Sequence, residues 1–334
     1  MARKRKPKNL TEAGQNHAAF VARLRRTRWF TVVTILVLLT FGNIFAHLSP
    51  ESRAKFGSLE PLLESLGAVT ADLTDAYGLT GRDVAIDYTG AKPKGVFPFG
   101  EPRIVDASKA GKDLVILKRK GYWAGWSPSL GHPLWSAYEV PTTNKLNYLP
   151  DRPPFMPDSQ APRTAAPEDY TSTGYDRGHL APNRLITLRY GKAAQRETFL
   201  MSNIAPQKPE LNRGPWRELE QIVADDLSGV GDTMWVITGV VPDRTQKLKK
   251  KSKVCVPSAF YKVIAGVHKD KLRVIAVMMP QETREGKYPR YCITSVDAIE
   301  AATGIDFFPA LNADQQSALE GTAATRFWPK QELF

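Results

Sequence analysis

Residues 175–220 read YDRGHLAPNRLITLRYGKAAQRETFLMSNIAPQKPELNRGPWRELE, and the rest of the chain is interpreted around them. In Asp176-Arg177-Gly178-His179 the cation and the imidazole stand two positions apart. An extended segment points alternate side chains to one face, so a phosphate clamp and a proton acceptor would converge there. Asn203 follows the apolar run Phe199-Leu200-Met201, and Asn212 precedes Gly214-Pro215-Trp216. Pro215 suits the first position of a helix, on which Leu219, Ile222 and Val223 recur at helical spacing. With an N-terminal extension of that helix, Asn212, Trp216 and Glu220 fall four apart, on roughly one side. The pattern predicts strand, loop, strand, helix, with His179 facing Asn212.

Such a set fits hydrolysis of a phosphodiester. That reaction needs an activated water, a counter-charge for the transition state, and stabilisation of the leaving oxygen. An imidazole is largely neutral at pH 7 and can take a proton from water. Of the five histidines only His179 lies among these co-located polar motifs. No Cys/His zinc spacing, GxxxxGK[ST] phosphate loop or GxSxG elbow gives another enzyme class a foothold.

The segments DRGH, SNIAPQ and LNRGPWRELE, in that order and spacing, resemble the DNA/RNA non-specific endonuclease family, the endonuclease G-like ββα-metal or His-Me finger nucleases. The run PLWSAY at 133–138 and TSVDAIEAATGIDFFPAL at 294–311 resemble the same family, so the likeness covers about residues 112–328. It implies an α+β fold with a central, mainly antiparallel sheet flanked by helices. It implies an endonuclease cutting DNA and RNA to 5′-phosphate and 3′-hydroxyl ends, with Mg²⁺ (Mn²⁺ as the alternative) and no small-molecule cofactor. By the same resemblance His179 is the general base, Asn212 the single direct metal ligand and Glu220 a carboxylate orienting water at the metal. Arg177 would neutralise the scissile phosphate. Asp176 would hold the loop or pair with a cation, and Asn203 would support His179 or the metal loop. Arg152, by its place in a long Pro-rich loop, is a substrate contact. Taken from the residues alone, Asn212 could be a helix N-cap, Glu220 a surface residue of an amphipathic helix and Arg152 a solvated loop charge. The family often carries a basic residue one turn after the glutamate, where this chain has Ala224. Arg213 or Arg217 would then substitute.

The formal charge of +12 on 334 residues is unevenly placed. Residues 1–28 hold nine Lys and Arg and only Glu12 as an acid, leaving +4 for the remainder. Net charge therefore says little about the catalytic part. Residues 29–47, WFTVVTILVLLTFGNIFAH, contain no Asp, Glu, Lys or Arg. They can span the roughly 30 Å hydrocarbon layer at about 1.5 Å per residue. The reading is a basic cytoplasmic tail at 1–28, a single transmembrane helix and anchor at 29–47, a membrane-proximal linker at 48–108 with short helices near 59–66 and 69–77, and the endonuclease domain at 109–334. The flanking arginines place the N-terminus in the cytoplasm and the catalytic domain outside, in a bacterial periplasm or at the cell surface. Anchoring in the mitochondrial inner membrane, facing the intermembrane space, is the alternative compartment. A cleaved signal peptide competes with the anchor, against which stand the long basic region and the lack of a small-x-small cleavage site.

Strands are expected at 114–117, 122–127, 134–140, 234–241, 260–267 and 272–279, separated by Gly and Pro signals. Capped helices follow at 295–300, stopped by Gly304, and from 312 to near Gly321. The basic run 247–253 suits either a polyanion backbone or a solvated hairpin tip leading into a strand at Val254. Cys255 and Cys292 are either two buried thiols or one bridge. A homodimer is left open. The rival to an endonuclease, from another functional class, is a catalytically weak nucleic-acid-binding protein on the same fold, tethered to capture DNA.

Overall fold

The computed structural model describes Leu59, Val84–Ala85 and residues 95–227, 233–268, 271–284, 286 and 289–324. The strands are β1 (Val84–Ala85), β2 (Arg103–Ile104), β3 (Val115–Lys118), β4 (Trp123–Ser127), β5 (His132–Val140), β6 (Asp176–His179), β7 (Ile204–Gln207), β8 (Thr233–Val241), β9 (Ala259–His268), β10 (Lys271–Pro280), β11 (Ile293–Thr294) and β12 (Ile305–Asp306). The helices are α1 (Ala107–Ala110), α2 (Asn183–Tyr190), α3 (Lys192–Thr198), α4 (Pro209–Arg213), α5 (Pro215–Gln221), α6 (Val296–Thr303) and α7 (Ala313–Glu320). The main sheet runs β1-β10-β9-β8-β5-β4-β3, with β11 on β10, and its pairings are antiparallel. Two short ribbons, β6-β7 and β2-β12, stand apart from it.

The central strands read as nearly continuous apolar runs because both sheet faces are covered. Trp235 and Ile237 of β8, with Tyr261, Val263 and Ala265 of β9, pack into one layer with Ile299 of α6 and Leu319 of α7. Met234, Val236 and Val240, with Phe260 and Ile264, pack on the other face with Leu185 of α2, Ala194 of α3 and Trp216 and Leu219 of α5. Trp135 lies flat across its cross-strand neighbour Gly125: a Cβ there would be 2.6 Å from the indole Nε1.

Residues 176–215 depart from the expected strand, loop, strand, helix. Where a loop was expected after DRGH, the chain forms α2 and α3, divided by Gly191 at φ 89°. Each is under three turns, and α2 buries the adjacent Leu185, Ile186 and Thr187 rather than a spaced stripe, so periodicity gives little signal. The expected helix with an N-terminal extension is likewise two helices, α4 and α5, broken at Gly214. Asn212 lies inside the last turn of α4 and Gly214 caps α5, so the N-cap reading of Asn212 fails.

The described part of the stretch read as linker enters the fold. Val84–Ala85 pair with Leu272 and Lys271. Phe99 is buried edge-on against Trp235 and Phe308, and Arg103–Ile104 pair with β12. Glycine and proline break regular elements there without preventing aromatic burial. The tail at 1–28, the span at 29–47 and, apart from Leu59, the two linker helices lie outside the described residues. Among the described residues no helix is long and apolar enough to cross a membrane. The basic run leads to an isolated Lys247–Cys255 bridge rather than a strand at Val254, and β9 begins at Ala259. Cys255 and Cys292 are not bridged to each other: Cys255 packs in the layer of α6 and α7, Cys292 against the opposite one.

Candidate active site

The β6-β7 ribbon carries DRGH, with Gly178 opposite Ala205 and His179 opposite Ile204. Gly178 has no room for a side chain, since an added Cβ would lie 2.7 Å from Gln207 Cβ. As the strand alternation requires, Arg177 and His179 line one cleft. The His179 ring sits between Phe155 and Phe199, with centroids 5.4 and 5.0 Å away. Burial among these rings, with the Arg152 charge adding to it, holds the imidazole well below its usual pKa and therefore neutral. Its buried Nε2 has no hydrogen-bond partner among the described residues.

Asn203 fixes the backbone that follows this histidine. Its Oδ1 accepts from Ala181 N at 2.9 Å and from Ser136 Oγ at 3.0 Å. Its Nδ2 donates to the carbonyls of Ala181 and Thr198 at 2.9 and 3.0 Å. Fully buried and saturated, Asn203 is a brace rather than a group that meets a ligand.

Asp176 draws α4 onto the ribbon. Its carboxylate accepts from Asn212 Nδ2 at 2.8 Å and from both Nε and Nη2 of Arg213, at 2.8 and 2.6 Å. Asp176 thus pairs with a cation and ties α4 to the β6-β7 ribbon. Arg213 is thereby committed. The β7-α4 corner is pinned by Gln281, which accepts from Lys208 N at 2.9 Å and donates to Pro206 O at 2.7 Å. From α5, Glu220 reaches the same cleft, and burial pushes its carboxyl up to about 7 against the opposing charge of Lys262.

The cleft, about 540 Å³, is lined by His179, Asn212 and Glu220 together with Arg152, Arg177, Arg184, Arg213 and Arg217. Five guanidinium groups against Asp176 and Glu220 make it a concave site for a polyanion. Arg177 is more constrained than the sequence suggested, because Nε and Nη2 both donate to Pro167 O, at 3.2 and 2.9 Å, and its guanidinium lies over Phe155. Arg217 is exposed and makes no ion pair among the described residues. Arg152 lies over the Phe199 ring at 5.3 Å.

The loop bearing Arg152 and Phe155 is held by a buried ion pair. Asp158 meets Arg119 and Ser202, while Met156 bridges Leu200. Sequence spacing missed these contacts, since Arg119 and Asp158 lie on different elements. It also missed Arg184, which pairs with Asp225 at 2.9 Å in the π-helical turn Ile222–Leu227 that holds Ala224. Such turns are frequent at functional sites. Lys262 was missed too, although a lysine in the apolar run AFYKVIAGV was a usable signal: in a strand covered on both faces it must be buried.

The family model for DNA/RNA non-specific endonucleases matches residues 101–314. Among relatives, the nuclease of Nostoc sp. is 28% identical over 233 residues, covering 66% of this chain and 83% of that protein. The nuclease of Serratia marcescens is 30% identical over 233 residues, 65% of this chain and 83% of its own length. The mitochondrial nuclease EXOG of Danio rerio is 33% identical over 204 residues, 56% of this chain and 59% of that protein. The match spans about half the length of the Xenopus laevis and human EXOG proteins. A solved EndoG/EndoGI complex aligns with TM-score 0.54 and 26% identity over 60% of this chain and 88% of the other. With the matched model covering well over half of the chain and the cleft lying inside the matched span, the chain belongs to the DNA/RNA non-specific endonuclease family and is an endonuclease.

Proposed function

We propose that the chain is a Mg²⁺-dependent, sugar-non-specific endonuclease that hydrolyses phosphodiester bonds of both DNA and RNA. The observation that carries this reading is the convergence of His179, Asn212 and Glu220 from three separate elements on one arginine-rimmed cleft. The neutral imidazole of His179 accepts the proton of the attacking water through a ring nitrogen. Arg152, Arg177 and Arg217 meet the phosphate, Arg177 with what its bonds to Pro167 leave free. Contacts of this kind read the backbone rather than bases, so cleavage is weakly sequence-dependent and falls steeply with salt.

The donor set suits a hard divalent cation. Asp176 holds the Asn212 amide nitrogen, which fixes the side chain and leaves Oδ1 without a hydrogen bond among the described residues. Asn212 and Glu220 present oxygen, and no thiol lines the cleft. Mg²⁺ keeps several waters and needs few protein ligands, so a single amide oxygen suffices. When bound, the ion stabilises charge on the phosphate oxygens.

In this reading residues 29–47 anchor the chain, with residues 1–28 cytoplasmic and the catalytic domain outside, in a bacterial periplasm or at the cell surface. The full chain should stay in membranes after carbonate washing, and release of the intact chain would remove the anchor from the proposal. For the activity, the full chain is incubated with supercoiled plasmid and with RNA, in Mg²⁺ or in EDTA. Degradation of both only with Mg²⁺ supports the reading. Retention of uncut nucleic acid in a gel shift would replace it with the tethered binding protein.

A further inference from the structure

Where α6 meets the end of α7, on the side of the sheet away from α5 and the cleft, three carboxylates come together. Asp297 and Glu300 stand one turn apart on α6, beside Val296 and Ile299, which that helix buries. Glu320 comes from the last turn of α7. The two helices are close there: a Cβ on Gly321 would lie 3.5 Å from Asp297 Oδ2. One oxygen from each of the three side chains falls within 4.8 Å of the other two.

Glu320 is not an ordinary surface acid. It is only 5% exposed, and its Oε1 is shut off from solvent without a hydrogen-bond partner among the described residues. A buried carboxylate in that state is costly, and two more carboxylates beside it add like-charge repulsion. Among the described residues no Lys or Arg pairs with any of the three. Asp306, whose charge also acts on Glu320, is already paired with Arg103 at 2.6 Å. Glu300 is held by the backbone: its Oε1 accepts from Phe307 N at 2.8 Å, which leaves Oε2 without a hydrogen bond among the described residues. What this cluster lacks is a cation.

We propose that Asp297, Glu300 and Glu320 bind a Ca²⁺ ion that clamps α7 to α6. Calcium takes oxygen ligands at about 2.3–2.6 Å in loose geometry, so one ion can touch three oxygens spread over 4.8 Å. Mg²⁺ demands near-octahedral contacts at about 2.0–2.1 Å and gives up its waters reluctantly, which suits this spread less well. Water completes the calcium sphere from the exposed side, where Asp297 lies. The ion supplies the partner that Glu320 lacks and turns mutual repulsion into shared attraction. This site is separate from the residues of the cleft, and it stands whether or not the nuclease reading of that cleft holds.

The test is calcium-dependent unfolding of the full chain, treated with EDTA and dialysed near neutral pH. Calcium at about tenfold its dissociation constant should raise Tm by about 3–6 °C. Asp297→Asn and Glu320→Gln should each abolish most of that shift, whereas Asn212→Ala, which removes the amide oxygen of the cleft, should keep it. In EDTA, Glu320→Gln should unfold no earlier than wild type, because it removes a buried carboxylate, so its lost response would not reflect a lost fold. Should Glu320→Gln fail to fold, Asp297→Asn, at an exposed position, decides alone. Titration calorimetry should count one more calcium in wild type than in the variant of the cluster. No calcium shift in wild type, an undiminished shift in the cluster variants, or a shift lost in Asn212→Ala and kept in Glu320→Gln would overturn the proposal. So would a larger shift with magnesium than with calcium in the Asn212→Ala background.

Discussion

The two faces of the main sheet are built from the same strands, yet only one carries chemistry. On the face toward α6 and α7, Trp135, Trp235, Tyr261 and Val263 meet Ile299 and Phe307 in apolar contact. On the other, Ser136, Thr238 and Lys262 interrupt the apolar surface: Ser136 donates to Asn203, and Lys262 donates to Thr238 beside the Trp216 ring. A buried polar group must find a partner, so each of these positions demands a specific neighbour, whereas an apolar position accepts any shape that fills it. One face is specified by volume and the other by hydrogen bonds.

That contrast breaks most sharply at His179. Replacing it with Ala should lower cleavage of plasmid and RNA by about a hundredfold or more, the scale of a lost general base, with little change in Tm; a variant near wild-type rate would remove the imidazole from the reaction. Next in size, Asp158→Ala leaves Arg119 buried and unpaired and should cost about 3–5 kcal/mol in denaturant unfolding, while loosening the loop that bears Arg152. On the opposite face, Ile299→Ala should cost about 2–5 kcal/mol of stability and leave kcat unaltered below the unfolding transition. A kcat that fell in step would show that the two faces are not independent.

Smaller effects test charge. Arg217→Ala should raise KM by a few fold and flatten the salt dependence by about one counterion. In the α6-α7 layer, burial first, then Glu300, Asp297 and Asp306, push Glu320 up to about 8. Its folded pKa lies above the unfolded one, so its contribution is fully present below about pH 4.5 and is lost as pH rises through 8. Glu320→Gln should therefore match wild type in Tm near pH 4 and exceed it by a few degrees near pH 8.5. An equal difference at both pH values would rule out this titration.

Much of the site was legible because it is local. Arg177 and His179 share a face through strand alternation, Pro215 starts a helix, and Ser295 and Asn312 cap the helices whose starts they marked. Strand positions were readable within two residues at most ends, because aromatic and β-branched runs were bounded by Gly and Pro. The helices α2 and α3 were not readable, being short and without a spaced apolar stripe. Nor was the break at Gly214 that places Asn212 inside α4, since its spacing to Glu220 fits a continuous helix equally well.

By itself the sequence determined which chemical groups are present, which short segments extend or coil, and where runs begin and end, because those depend on neighbours a few positions apart. Tertiary structure alone decided that Arg177 is held by Pro167, that Arg213 belongs to Asp176, that Arg119 is buried against Asp158, and that Ser136, Thr238 and Lys262 form one row. The reason is physical: strand register and loop closure bring together residues up to more than a hundred positions apart, and a buried charge is assigned its role by whichever partner the fold sets beside it.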